Sequence, residues 1–99
     1  MIHVLAMISA GGAGVEGLRN YEAQAVRIIR THGGRLLSAF VPRPHGNLTR
    51  PDEIHLLEFP SDESFAAYRA DPQVQALSAL RARAIATTVV YVSGEMIDY

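Results

Sequence analysis

The chain of 99 residues contains no cysteine and no tryptophan, and its nine basic residues are all arginine. The lack of cysteine excludes disulfide bonds, zinc sites built on thiolates and thiol nucleophiles. The formal net charge of −1 gives no overall attraction to nucleic acid or to an anionic membrane, so we expect neither as a partner. Charged residues make up 19% and hydrophobic residues 48%, which is typical of a globular domain rather than a disordered segment.

The length of the chain predicts a single domain over residues 1–99. No internal repeat, low-complexity segment or linker divides it. The apolar segment from Met1 to Ile8 is too short to span a bilayer, and no basic stretch precedes it. We therefore expect a cytoplasmic protein.

Hydrophobic periodicity divides the chain into four strands and two helical regions. From Val15 the apolar residues recur every three or four positions on one helix face, with Glu22 on the other side, and Gly33-Gly34 ends this helix. Ser61 predicts the N-cap of a second helical region, which Asp71-Pro72 interrupts and restarts. The predicted strands are Ile2–Ser9, Arg35–Val41, Glu53–Phe59 and Thr87–Val92, with a long loop over 42–52 and a tail from Gly94 to Tyr99.

The element order βαββαβ with right-handed crossovers places both helices on one face of a four-stranded antiparallel sheet. Several strands, such as Val4–Ile8 and Val89–Val92, are apolar without alternation, so the sheet needs cover on both faces. Two helices cover only one face, and a contiguous exposed apolar sheet is unfavourable on a monomer. We therefore predict a homodimer that packs sheet against sheet.

Several short segments, distributed over residues 18 to 93, together resemble the dimeric α/β-barrel superfamily. They are His32-Gly33-Gly34-Arg35-Leu36, Leu57-Glu58-Phe59-Pro60-Ser61, Asp71-Pro72, Gln75-Ala76-Leu77 and Leu80-Arg81. The most similar branch is the family called domain of unknown function 1330. The resemblance implies a ferredoxin-like α+β sandwich and a homodimer. The wider superfamily includes cofactor-free monooxygenases, muconolactone isomerases and haem-degrading enzymes, with substrate in a cleft between sheet and helices, but this branch supplies no agreed catalytic residues.

Two ionisable residues, His55 and Glu58, interrupt the apolar third strand. Burial of His55 would favour the neutral, proton-accepting form of its imidazole. A buried Glu58 must be paired or protonated, and Arg35 or Arg81 could pair with it. Two alternatives stay open for each residue: a structural, hydrogen-bonded role, or a catalytic role in which His55 accepts a proton and Glu58 acts as a general acid or base.

Four further residues are candidates for binding a substrate. Tyr21 and Tyr68 fall on the inward faces of the two helical regions, where they either pack in the core or line a pocket. Arg81 either binds a carboxylate or enolate or extends to the surface. His32, in the last turn of the first helix, is either a C-terminal capping residue or a ligand contact.

Cofactor sites are not expected. No pair of histidines has the helical spacing of metal ligands, and haem bound by His32 would lack a tryptophan to pack the macrocycle. The segment Gly12-Ala13-Gly14-Val15-Glu16-Gly17 matches G-x-G-x-x-G between a strand and a helix, which is the dinucleotide fingerprint in its local context. However, no acidic residue near the end of the second strand would hold a ribose, so we interpret the segment as a flexible turn.

Two functions fit these patterns. The first is a cofactor-independent enzyme of the monooxygenase or isomerase type acting on a small organic molecule in a cleft between sheet and helices. The second is a non-catalytic homodimer that binds a small ligand or serves as an assembly module. The two differ in whether His55 and Glu58 face a cavity or a packed wall.

Overall fold

The computed structural model describes residues 1–99 and contains four strands and four helices. The strands are β1 (Ile2–Ala10), β2 (Arg35–Phe40), β3 (Glu53–Phe59) and β4 (Ile85–Val92), and the helices are α1 (Gly14–Thr31), α2 (Asp62–Ala70), α3 (Pro72–Ala76) and α4 (Ser78–Ala84). The predicted order is confirmed, with the second helical region divided into three consecutive helices. The fourth strand begins at Ile85, two residues before the predicted Thr87. None of the helices is long and apolar enough to cross a membrane.

The sheet has the strand order β2-β3-β1-β4, and all neighbouring strands are antiparallel. This arrangement is the ferredoxin-like α+β fold. The two central strands, β1 and β3, therefore form the floor on which the helices lie. In the register of the sheet, His55 on β3 lies between Ala6 of β1 and Ala39 of β2. These two small neighbours leave space around the imidazole.

Alternation along the strands separates a helix-covered face from an open face. On β1 the buried residues are Val4, Ala6 and Ile8, which point to the helices. The side chains between them point to the other face, which no helix covers. We call this second surface the open face; it comprises Leu5, Met7, Phe40, Ile54, Leu56, Val89 and Tyr91.

The core lies between the sheet and the helices. Phe59 is 1% exposed and contacts the rings of Phe65 and Tyr68, with centroids 5.1 Å and 5.7 Å away. Tyr21 of α1 packs with Ala84 of α4, so that the first helix and the last one meet above the sheet. Burying a large apolar side chain contributes about 1.5–3 kcal/mol, which makes these contacts the main source of cohesion.

The predicted helix boundaries in the second half of the chain are confirmed. The Ser61 hydroxyl accepts the Ser64 amide N–H over 3.1 Å, and the Ser64 hydroxyl accepts the Ser61 amide N–H, which forms a capping box at the start of α2. Asp71 then caps α3 by accepting the Gln73 amide N–H over 2.8 Å, with Pro72 in the first helical position.

The glycine-rich turn before α1 is packed against the end of α4. The amides of Gly11 and Ala13 donate to the carbonyl oxygens of Ala84 and Arg83, over 2.8 Å and 3.0 Å. These bonds satisfy carbonyls that the end of a helix leaves without partners. A Cβ at position 11 would lie 2.6 Å from the Arg83 oxygen, so the close approach requires glycine there. The turn is therefore tied to a helix rather than free, and the Ala13 amide is not available to a phosphate.

Candidate active site

A cavity of about 350 Å³ lies between the helix-covered face of the sheet and the helices. Twelve of its nineteen lining residues are hydrophobic, and Phe59 and Phe65 form part of an aromatic wall. A largely apolar space of this size with a few polar groups is typical of a site for a small organic molecule. The polar groups on its wall include Tyr21, His55 and Arg81.

His55 projects from the floor of this cavity and is 4% exposed. Its Nε2 lies 2.9 Å from Oε1 of Glu53, two residues earlier on the same strand and the same face. Its Nδ1 lies 3.8 Å from Oε2 of Glu22, which comes from α1. The imidazole is thus placed between two carboxylates, one on each side of the ring.

The two carboxylates differ in their other contacts. The second oxygen of Glu53 accepts a hydrogen bond from Nε of Arg19 over 3.2 Å, so both oxygens of this side chain have partners. Burial raises the pKa of the Glu22 carboxyl; His55 opposes this rise, Glu53 adds to it, and Arg81 opposes it. Glu22 therefore binds a proton more readily than an ordinary carboxylate, which is the property expected of a base in an apolar site.

Tyr21, Tyr68 and Arg81 meet in the same cavity. Burial raises the pKa of the Tyr21 hydroxyl, and the neighbouring Arg81 guanidinium opposes that rise. Burial also raises the pKa of Tyr68 far above its ordinary value. Both hydroxyls are therefore neutral hydrogen-bond donors at physiological pH. Arg81 hydrogen-bonds to Tyr21 but forms no salt bridge with a carboxylate of the chain, so its positive charge is available to an anionic group of a ligand.

Thr88 of β4 adds an unpartnered polar atom to the cavity wall. Its hydroxyl is buried and has no hydrogen-bond partner, and it is the one buried side-chain polar atom in this condition. A buried hydroxyl without a partner costs about 1–3 kcal/mol, so a ligand that bonds to Thr88 would recover this energy.

Glu58 and His32 lie outside the cavity. Glu58 projects to the open face, where its carboxylate contacts Nε of Arg35 over 2.8 Å and Nε2 of His3 over 3.9 Å. The structure therefore separates Glu58 from His55 and gives it the ion pair with Arg35 that was one of its two predicted roles. It does not bring Glu58 near Arg81, the other predicted partner.

His32 follows the last residue of α1, and its Nε2 lies 2.7 Å from Oδ2 of Asp71. The hydrogen bond from His32, together with the Gln73 amide, lowers the pKa of the Asp71 carboxyl. This contact ties the end of α1 to the junction of α2 and α3. His32 thus has a structural contact and no position on the wall of the cavity.

Sequence reasoning missed Glu22, Glu53 and Thr88. The assignment of Glu22 to the outer face of α1 was wrong, since the residue faces His55 across the cavity wall. Its position four residues after Leu18 and three before Ala25 could have placed it on the inward stripe. Alternation along β3 could likewise have paired Glu53 with His55. No signal in the sequence marked Thr88.

The residues of this site do not form a metal centre, because the histidine, aspartate and glutamate side chains make no group of three that could hold a metal ion. The polar atoms of the cavity are instead arranged for proton transfer and for binding an anion. They include a carboxyl–imidazole pair, two neutral phenols, the Thr88 hydroxyl and two guanidinium groups, of Arg69 and Arg81.

Comparison with known proteins agrees with the fold. The family model of the Domain of unknown function (DUF1330) matches residues 13–95. None of the curated proteins matches the chain. Among solved structures, a protein of unknown function from Rhodopseudomonas palustris is similar with a TM-score of 0.75 and 17% identity, over 98% of this chain and 83% of that one.

Two further solved structures have the same fold. One is named an antibiotic biosynthesis monooxygenase and has a TM-score of 0.71 and 14% identity, over 98% of this chain and 100% of its own. The other is an uncharacterised NIPSNAP domain protein from Burkholderia xenovorans, with a TM-score of 0.69 and 18% identity, over 97% of this chain and 95% of that one. At these identities the similarity establishes the fold and leaves the activity to be argued from the site.

Proposed function

Because this chain belongs to the DUF1330 family, whose function is unknown, we propose from the cavity itself that the protein is an enzyme that removes a proton from a small organic molecule. The observation that carries the proposal is the Glu22–His55 pair at the wall of an apolar cavity. A base is effective when it is desolvated and lies within reach of the reacting atom. The pair meets the first condition through the burial of both groups.

Glu22 is the group that would take the proton, with His55 behind it. The carbanion or enolate left on the ligand carries negative charge, and the unpaired guanidinium of Arg81 supplies the opposite charge at the cavity. The hydroxyls of Tyr21 and Tyr68 remain protonated and can donate hydrogen bonds to the same oxygen. These groups are side chains of the chain itself, so the proton transfer needs no organic cofactor.

Two outcomes of this step define the reaction types. An isomerase returns the proton to a different carbon of the ligand. A monooxygenase-type enzyme allows the carbanion to react with dioxygen. The shared fold with the protein named an antibiotic biosynthesis monooxygenase supports the second type, and the cavity geometry supports the common first step.

A non-catalytic ligand-binding module is the second candidate. The unpartnered hydroxyl of Thr88 favours binding of a ligand regardless of chemistry. The two candidates differ in one respect: only an enzyme breaks a C–H bond in the cavity.

The test is exchange of ligand C–H hydrogens with solvent deuterium, followed by proton NMR in D2O. The probes are aromatic ketones with acidic C–H bonds, such as 2-tetralone, measured with and without dioxygen. We expect exchange above the uncatalysed rate, and its loss by a factor on the order of 100 or more in Glu22→Gln and His55→Gln. Glu58→Gln is the matched control, because Glu58 lies on the same strand and faces away. Tight binding without exchange would assign the protein to the second candidate.

We also propose that the protein works as a homodimer, with a second copy covering the open face. The exposed side chains Phe40, Val89 and Tyr91 lie on that face at 50%, 45% and 61% exposure. Together with the partly buried Leu5, Met7, Ile54 and Leu56 they form one apolar surface on the side without helices. A surface of this kind marks a site of association on a globular protein.

A further inference from the structure

The imidazole of His55 lies between two separate hollows of the protein. Glu22 and His55 border both the cavity described above and a shallow groove between α1 and the β2–β3 edge. Glu53 and Arg19 border the groove alone. Tyr21 and Arg81, by contrast, border the cavity alone. A row of four polar groups therefore runs from the cavity to the groove. Its members, in order, are Glu22, His55, Glu53 and Arg19.

The atoms along this row are in order for proton transfer. When Nε2 of His55 donates to Oε1 of Glu53 over 2.9 Å, the lone pair of Nδ1 faces the Glu22 carboxyl at 3.8 Å. Transfer across this second distance requires the Glu22 side chain to rotate until its oxygen is within hydrogen-bond distance of Nδ1. The far oxygen of Glu53 is held by Arg19, whose side chain is 63% exposed, so the row ends in contact with water.

We propose that this row is a proton exit path, in which a proton taken from a ligand by Glu22 passes to His55 and leaves through Glu53 into the outer groove. The inference rests on the proposed function. In the first step the ligand C–H bond breaks, its electron pair stays on the ligand, and an O–H bond forms on Glu22. Glu22 then gives the proton to Nδ1 while Nε2 gives its own to Glu53, and Glu53 releases it to water. The sum is one proton moved from ligand to solvent, and the imidazole proton of His55 is now on Nδ1 instead of Nε2.

A bound ligand makes a separate route for the proton necessary in this cavity. A ligand that fills a largely apolar space of about 350 Å³ leaves little room for the water that would regenerate the base. The two phenols that share the cavity hold their protons because burial raises the pKa of each. Among the ionisable groups of the cavity, Glu22 and His55 are the two that also border the groove.

The surroundings of His55 contain few competing groups. The neighbouring strands place Ala6 and Ala39 beside it, and both are without charge. Helix α1 contributes Arg19, Tyr21 and Glu22, β3 contributes Glu53, α2 contributes Tyr68, and α4 contributes Arg81. On the cavity side the wall carries the cations Arg69 and Arg81. On the groove side it carries Arg19, Arg27 and Arg30, of which Arg19 contacts Glu53.

Arg19 is a positioning residue in this path. By binding Oε2 of Glu53 it leaves Oε1 directed at His55. Loss of Arg19 should weaken the path without removing any atom that carries the proton, and Arg19→Lys should restore most of what Arg19→Gln loses.

The experiment separates formation of the enolate from escape of the proton. With 2-tetralone as the probe, the enolate is followed by its ultraviolet absorbance and proton escape by deuterium incorporation from D2O. Glu53→Gln should form the enolate at a rate close to that of the unaltered protein. Its deuterium incorporation should fall on the order of 10-fold to 100-fold, because the abstracted proton returns to the ligand. Glu22→Gln should lose both signals, and Glu58→Gln neither.

Equal deuterium incorporation in Glu53→Gln and the unaltered protein would overturn the exit path and leave the proposed function intact. If the unaltered protein forms no enolate, the path is decided by long-range proton–nitrogen NMR of the histidine rings. There we expect Glu53→Gln and Glu22→Gln each to change the nitrogen shifts of His55 and Glu58→Gln to leave them unchanged. If neither substitution changes the nitrogen chemical shifts of His55, the proposed exit path is also wrong.

Discussion

His55 and Glu53 stand two residues apart on one strand, and both side chains turn toward the helices, so that Nε2 of one meets Oε1 of the other at 2.9 Å. This contact fixes the orientation of the ring. Because Nε2 is taken by Glu53, Nδ1 is the nitrogen left for Glu22. The His55 imidazole at the cavity wall is therefore oriented by the strand that carries it, before any ligand arrives.

Arg81 should control the affinity for anionic ligands. Replacing it by Gln removes the guanidinium without a large change in volume, and we expect binding of an aromatic carboxylate such as 2-naphthoate to weaken about tenfold or more. Isothermal titration calorimetry measures the change. Arg83→Gln is the matched control, since Arg83 is an exposed residue two positions away that does not line the cavity. Equal weakening in both variants would exclude a specific role for Arg81.

Glu22 should reduce stability at neutral pH while it serves as a base. Because its pKa is raised in the folded protein, folding becomes less favourable as pH rises from the ordinary carboxyl range and the group ionises. Glu22→Gln should therefore have a higher midpoint of thermal unfolding at pH 7 than the unaltered protein, and a smaller difference at pH 4. Circular dichroism follows both transitions. A lower midpoint at pH 7 would contradict the expectation.

The two cavity tyrosines should resist ionisation. Burial raises the pKa of Tyr21 and of Tyr68, so both stay protonated at pH values near 10, where exposed phenols ionise. The unfolded chain loses these protons first, so this contribution to stability is present below about pH 10 and declines above it. Absorbance at 295 nm during alkaline titration should show a late step that coincides with unfolding. Tyr21→Phe and Tyr68→Phe should each reduce that step.

The glycine-rich turn should reject a methyl group at Gly11 and tolerate one at Gly12. Gly11→Ala places a Cβ 2.6 Å from the Arg83 oxygen, whereas nothing lies within 4 Å of a Cβ at Gly12. We expect Gly11→Ala to lower the free energy of unfolding by about 1–3 kcal/mol, and Gly12→Ala to change it by much less. Urea denaturation of the two variants makes the comparison. A large loss in Gly12→Ala alone would indicate a different role for the turn.

The open face should hold the proposed homodimer together. The double substitution Val89→Arg, Tyr91→Arg puts two like charges on the apolar surface and should convert a dimer into a monomer. Size-exclusion chromatography with light scattering reports the mass. Gln73→Arg, on the exposed surface of α3, should leave the mass unchanged. A monomer in the unaltered protein would end the proposal.

The elements that sequence periodicity located best are those in which local preference and tertiary packing agree. Ser61 and Asp71-Pro72 are local signals that need no knowledge of the rest of the chain, and both cap helices as predicted. The start of β4 was placed too late because Ile85, between the end of α4 and the pair Thr87 and Thr88, carries no local breaker.

The site was harder to predict because it depends on which face each residue takes. Glu58 is three residues from His55, and an odd separation on a strand puts side chains on opposite faces. The same rule pairs His55 with Glu53, a residue that sequence reasoning treated only as the start of a strand. Glu22 was assigned by its charge rather than by its spacing. The cavity itself follows from how α1 and the three short helices lie over the sheet, which no pattern in one sequence describes.

The two alanines beside His55 lie on different strands, and each one lines a different hollow. Ala6 borders the cavity, and Ala39 borders the groove. A bulkier residue at either position changes the capacity of one compartment and leaves the row of ionisable groups in place. Substitutions at Ala6 or Ala39 can therefore change the size of ligand that fits. Substitutions at Arg81 can change the preferred ligand charge. Neither kind of change alters the residues that transfer the proton.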